Sequence, residues 1–273
     1  MKPFNLNRKY RLFTIKWYGH QLATVDPMRN IYLIAFLLLL GSNLQVSGQQ
    51  DVSRSEKSFS RIKVKEGTRD VSLTNAYNKR WKMRVNFPKT TEEKTGLIIA
   101  LHWAGGDNAY REFNDCLILP GLKALNTIIV SPQDENQLWS TGNNIDKVIF
   151  IVENSQKYWN VDPEKIAVVG YSNGGNGSWY YAQHYPELFS AAIPMASAYP
   201  VNQKIEIPLY VIHGANDELF RLDRTKKYID RTKHQGTELI WVVNDKLSHF
   251  EGCAYIANLK NAGEWLNELW KKK

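Results

Sequence analysis

Six short, almost uninterrupted apolar runs constrain this chain more than any other feature. They are Gly96–Leu101, Thr127–Val130, Lys165–Val169, Ser190–Met195, Leu209–Ile212 and Leu239–Val243, and each gap between them is long enough for a helix. A strand with one wet face alternates polar and apolar residues, whereas a continuous apolar run fits a strand covered on both faces of a parallel sheet. Two intervening segments carry helical spacing: Ile145, Val148, Ile149 and Val152 in one, Ala262, Trp265, Leu266 and Leu269 in the other. Alternating strands and helices imply right-handed crossovers. The expected fold is therefore α/β, a doubly wound, mostly parallel sheet flanked by helices. Arg61–Lys65 and Trp81–Phe87 alternate and read as half-buried edge strands. Ligands in such sheets bind at the carboxyl ends of the strands, so chemistry is sought just after each apolar run.

Directly after Lys165–Val169 stands Gly170-Tyr171-Ser172-Asn173-Gly174-Gly175, a G-x-S-x-G pattern between a strand and a helix-compatible stretch reaching Gln183. A turn this tight needs flanks almost free of side chains, and it lifts the serine hydroxyl above the sheet at a helix amino terminus. Serine is a weak nucleophile at neutral pH and needs a base oriented by a carboxylate, in the chain order Ser, acid, His. His102 and His213 precede the acid, His184 lies in the helix after Ser172, and His234 sits at a helix end, which leaves His249 as base. Asp217, in the loop after Leu209–Ile212, is the expected acid, with Glu218 its nearest rival; Asp223 and Asp230 fall on the following helix. The tetrahedral oxyanion calls for one backbone N–H from Asn173 and a second from the loop His102-Trp103-Ala104-Gly105-Gly106, where both Ala104 and Trp103 are eligible. Trp139 follows the next strand at the same edge and reads either as substrate-binding or as a packed loop aromatic.

The set His102-x-x-Gly-Gly106, Asp162-Pro163 leading into Gly-Tyr-Ser-Asn-Gly-Gly175, His213-Gly-x-x-Asp217 and Ser248-His249 resembles the α/β-hydrolase superfamily. Within it the chain is most similar to the small esterases grouped with polyhydroxybutyrate depolymerases, feruloyl and acetyl-xylan esterases. That resemblance spans about Gly96 to Phe250 and implies a serine hydrolase cleaving a carboxylic ester through an acyl-enzyme. The substrate would be a small-molecule or carbohydrate-linked ester. Members usually carry glycine after the strand-ending histidine, where this chain has Trp103. Spacing between the motifs leaves little room for a large lid. Two other readings stand beside the esterase: a serine peptidase of prolyl-oligopeptidase type, and an exported binding protein on a hydrolase scaffold without catalysis.

The ten apolar residues Ile31–Leu40 are about half of what a helix needs to span a bilayer and read as the core of a signal peptide, preceded by Met28-Arg29-Asn30 and followed by Val46-Ser47-Gly48. Residues 1–48 are read as a leader, with translation starting at Met28, a signal peptide over 28–48 and a single domain over 49–273. The product is expected in the periplasm or secreted, with no stable membrane span after cleavage. The chain's formal charge of +8 is concentrated in that leader; residues 49–273 hold 29 basic and 26 acidic residues, too even a balance to imply a nucleic-acid partner. Cys116 and Cys253 are too few for a disulfide framework and lack metal-ligand spacing. They are expected as buried small hydrophobes, a single bridge being the alternative that export permits. No cofactor or metal motif is present.

Overall fold

The computed structural model describes residues 54–75, 78–89 and 93–272. The leader reading over 1–48, with its start at Met28, lies outside them. A helix α1 (54–60) precedes eight strands: β1 (Gly67–Thr74), β2 (Arg80–Phe87), β3 (Thr95–Leu101), β4 (Ile128–Pro132), β5 (Val161–Tyr171), β6 (Ala191–Met195), β7 (Leu209–Asn216) and β8 (Leu239–Ser248). They form one sheet in the order β1-β2-β4-β3-β5-β6-β7-β8. β1 and β2 pair antiparallel with each other and β2 with β4, and every pairing from β4 to β8 is parallel. The α/β architecture expected from the apolar runs is the one observed.

The helices are α2 (Ala109–Phe113), α3 (Leu119–Leu122), α4 (Gly142–Tyr158), α5 (Asn173–His184), α6 (Leu222–His234) and α7 (Ile256–Lys271), with a π turn, Asn114–Ile118, between α2 and α3. Alternate residues of each central strand feed opposite faces, as the two-residue period of a strand requires. Leu97, Ile99 and Leu101 of β3 pack in one cluster with Val148, Ile151 and Val152 of α4, Trp179 of α5 and Phe59 of α1. Ile98 and Ala100 pack in the other with Leu117 of the π turn and Leu259, Ala262 and Leu266 of α7. No helix joins β6 to β7 across 196–208, and no lid-sized insertion stands between strands among the described residues.

Three expectations are corrected. Arg61–Lys65 is a turn and an unpaired segment; the edge strand is β1, a few residues later. Of β1 only Leu73 is buried, so its alternation is nearly invisible in the sequence. Cys116 and Cys253 are not small buried hydrophobes but are bridged, with Cα atoms 5.3 Å apart, and Cys253 is exposed. Trp139 does not reach a ligand cavity: it is fully buried, and its indole N–H donates to the His102 carbonyl at 2.9 Å.

Candidate active site

Ser172 sits on the turn from β5 into α5 with φ +55° and ψ −115°, a conformation that costs a non-glycine residue of order 1–3 kcal/mol. The surroundings leave no room for an alternative turn. A Cβ on Gly170 would stand 2.0 Å from the Gly174 carbonyl oxygen, and one on Gly174 would stand 1.8 Å from that of Leu101. The Ser172 N–H donates to the Met195 carbonyl at 3.0 Å, tying the turn to β6. Close packing thus forces the strain and projects the hydroxyl upward.

β7 and β8 deliver its two partners from the same sheet edge. Ser172 Oγ lies 2.9 Å from His249 Nε2, and His249 Nδ1 lies 2.9 Å from Asp217 Oδ2. The other Asp217 oxygen accepts the backbone N–H groups of Leu219 at 3.0 Å and Phe220 at 2.7 Å. Burial pushes the Asp217 carboxyl up, but the His249 hydrogen bond, the Phe220 N–H and the nearby imidazoles of His249 and His213 outweigh it and hold the group below the ordinary aspartate value. A carboxylate depressed in the folded state contributes stability that is fully present above its unfolded value, about 3.9, and is lost as pH falls through the lower folded value. Wild type is therefore expected to lose melting temperature relative to Asp217→Asn on acidification below about pH 4, which thermal melts from pH 6 to 2.5 would measure. A gap independent of pH would refute the charge-based part of this account.

Residues that sequence order set aside from catalysis hold the three in place. His213 Nε2 donates to the Phe220 carbonyl at 2.7 Å, securing the Asp217 loop from beneath. Glu218, the rival acid, accepts the His249 backbone N–H at 3.0 Å. Glu251 accepts both the N–H and the hydroxyl of Ser248, and the Tyr171 hydroxyl donates to the His249 carbonyl at 2.6 Å. Chain order screens for proton-transfer roles and is blind to such backbone anchoring.

The Ser172 hydroxyl opens into a cavity of about 460 Å³. Trp103, Tyr171, Leu219 and Phe250 supply its apolar walls; Ala104 and the exposed Cys253 end of the disulfide also line it. Trp103 packs edge-on to Phe113 and Tyr171 and close to where a Cβ on Gly252 would stand, so the bulky ring is built into the wall. Leu219 is 58% exposed and Phe250 74%, an apolar lip open to solvent. Asn173 is the first residue of α5, so its N–H has no acceptor within the helix and is free for an oxyanion. Among the described residues no group of three or more His, Cys, Asp or Glu is placed to hold a metal ion.

A strained serine turn feeding a helix from the middle of a doubly wound sheet places the chain among the α/β hydrolases. Residues 84–243 match the model of the dienelactone hydrolase family, and the chain belongs to that family. It is 29% identical over 126 residues to an acetylxylan esterase of Coprinopsis cinerea, a match covering 40% of this chain and 33% of that protein. The chain thus spans about a third of that relative's length. Among solved structures it is similar to a thermostable esterase, with TM-score 0.61 and 20% identity over 74% of this chain and 62% of that one. A ferulic acid esterase superposes with TM-score 0.59 and 17% identity over 76% and 99%. These structural likenesses concern the fold.

Proposed function

We propose that this chain is a serine esterase that cleaves neutral carboxylic esters through an acyl-enzyme. One observation carries the reading: the hydrogen-bonded series Ser172, His249, Asp217 at the floor of an apolar cavity. Ser172 Oγ attacks the ester carbonyl while His249 Nε2 takes its proton, and Asp217 holds the ring in the tautomer that leaves Nε2 free to accept. The oxyanion rests on the Asn173 N–H and a second N–H from Trp103 or Ala104. Collapse expels the alcohol, which leaves with the proton from His249. Water then attacks the acyl-enzyme, giving its proton to His249, and the acid departs as Ser172 recovers its own.

The cavity favours neutral groups. Glu251 is the only carboxylate among its lining residues and no Lys or Arg is among them, so an anionic substrate would lose hydration without gaining a counter-charge. The acetylxylan esterase relative supports carbohydrate-linked esters as one source. A panel of p-nitrophenyl acetate and butyrate, acetylated xylo-oligosaccharides, an anionic lactone and a dipeptidyl anilide tests this. Neutral esters are expected to exceed the anionic lactone in kcat/KM by at least about tenfold. Faster turnover of the anilide would replace the esterase with a peptidase, and preference for the lactone would overturn the charge argument.

We also propose that the protein works outside the cytoplasm. The Cys116–Cys253 bridge supports this, because such bonds persist in oxidising compartments, as does the short apolar run Ile31–Leu40. No helix among the described residues is long and apolar enough to cross a membrane.

A further inference from the structure

His102, at the end of β3, is completely buried although it takes no part in proton transfer. Its ring meets two backbone groups: Nε2 lies 3.1 Å from the Asp134 amide nitrogen and Nδ1 2.6 Å from the Trp103 carbonyl oxygen. An amide N–H can only donate, so Nε2 accepts; the ring proton is then on Nδ1 and is donated to Trp103. Burial, with Lys147 acting in the same direction, holds the ring in this neutral form against the Trp103 carbonyl and Asp134, whose Oδ1 stands 3.9 Å from Nε2. Lys147 is itself secured by Glu135 Oε1 and the Gln133 carbonyl, each at 2.6 Å. The indole of Trp139 packs edge-on against the imidazole.

These contacts fix two successive peptide planes. Both are trans, so in each the C=O and N–H point in opposite directions. The His102 carbonyl turns toward α5, accepting the Trp139 indole N–H and lying 2.8 Å from where a Cβ on Gly174 would stand. The Trp103 N–H, opposite to it, therefore points away from the first turn of α5, the helix that Ser172 leads into. The Trp103 carbonyl turns inward to the imidazole, so the Ala104 N–H turns outward, on the side where Ala104 and Ser172 line one cavity. We infer that His102 is the positioning residue of the oxyanion hole: its Nδ1–H locks the Trp103–Ala104 peptide so that Ala104, not Trp103, supplies the second donor opposite Asn173. The inference deepens the esterase reading and rests on it.

Two near-isosteric substitutions separate this role from mere structural support. In His102→Asn the amide nitrogen replaces Nδ1 and keeps the bond to Trp103. In His102→Gln the amide oxygen replaces Nε2 and keeps the bond from Asp134 while the lock is lost. His102→Gln is expected to lower kcat for p-nitrophenyl acetate by about 100-fold with KM within about twofold, and His102→Asn to stay within about fivefold of wild type. Affinity for an alkyl boronic acid, whose adduct on Ser172 carries the tetrahedral oxygen, should fall in parallel with kcat. An equal loss in both variants, activity retained in His102→Gln, or a loss confined to KM overturns the inference. If His102→Asn does not fold, Ala104→Pro, which deletes the donor, decides: it must lower kcat and boronic acid affinity as His102→Gln does, and retention of both overturns the inference. If wild type hydrolyses no ester, the esterase reading fails by itself, and boronic acid affinities still judge His102.

Discussion

Ser172→Ala is expected to lose about 10⁴- to 10⁶-fold in kcat toward p-nitrophenyl acetate while keeping its fold and melting temperature within a few degrees. The size follows from the way the three residues act as a unit. His249 Nε2 has one reacting partner at 2.9 Å, and without that hydroxyl the proton it would accept does not exist. What remains is an oxyanion site and an apolar cavity around a substrate attacked only by water. The fold should tolerate the change because the left-handed backbone at Ser172, φ +55°, is imposed by Gly170, Gly174 and the bond to Met195, none of which involves the hydroxyl. A fluorophosphonate probe should label wild type and leave Ser172→Ala unlabelled. Unchanged ester turnover would sink the assignment, whereas a wild type that neither turns over esters nor takes the label would favour the binding-protein reading.

What could be read from the sequence divides along physical lines. β3 to β7 were legible because strands buried on both faces leave continuous apolar runs, and β8, a half-buried edge strand, because Leu239–Val243 is apolar throughout; each run lies within an observed strand or overlaps most of one. β1 was not, since an edge strand with one buried side chain carries almost no hydrophobic signal and was displaced onto Arg61–Lys65. Ser172, Asp217 and His249 were legible because chain order and position after a strand filter the titratable residues strongly. The same filter set aside His102 and His213 as bases, and the structure bonds both to backbone carbonyls; those bonds depend on where loops fold back, which no motif records. Trp139 illustrates the limit of arguing from the sheet edge alone. Its position after β4 is right, but its ring turns inward because Gly177 of α5 leaves space against it and the His102 carbonyl needs a donor. The Cys116–Cys253 pair was open for a similar reason, as two cysteines 137 residues apart say nothing about proximity.

That bridge carries the second large expected effect. It ties the π turn Asn114–Ile118 to the 3-10 turn Gly252–Tyr255, which lies between His249 and α7. Closing so long a loop restricts the unfolded chain strongly, and on the chain-entropy account its removal costs about 3–5 kcal/mol. For a domain of this size that corresponds to a fall of roughly 10 °C in melting temperature, seen equally in Cys116→Ser/Cys253→Ser and in wild type under reductant. Activity of the surviving folded enzyme should fall less. Leu117, Tyr255 and Leu259 stay packed in the same buried cluster without the bridge, and His249 keeps its bonds to Asp217, Glu218 and Tyr171. Cys253 lines the cavity, so the loss that does occur should appear in KM more than in kcat. The control is the double variant with reductant, whose melt should not move. Two free thiols titrated in the unreduced wild type, with no response of its melt to reductant, would remove the bridge from the account. They would also take away the main support for export, since a thiol pair this close that stays reduced belongs in a reducing compartment.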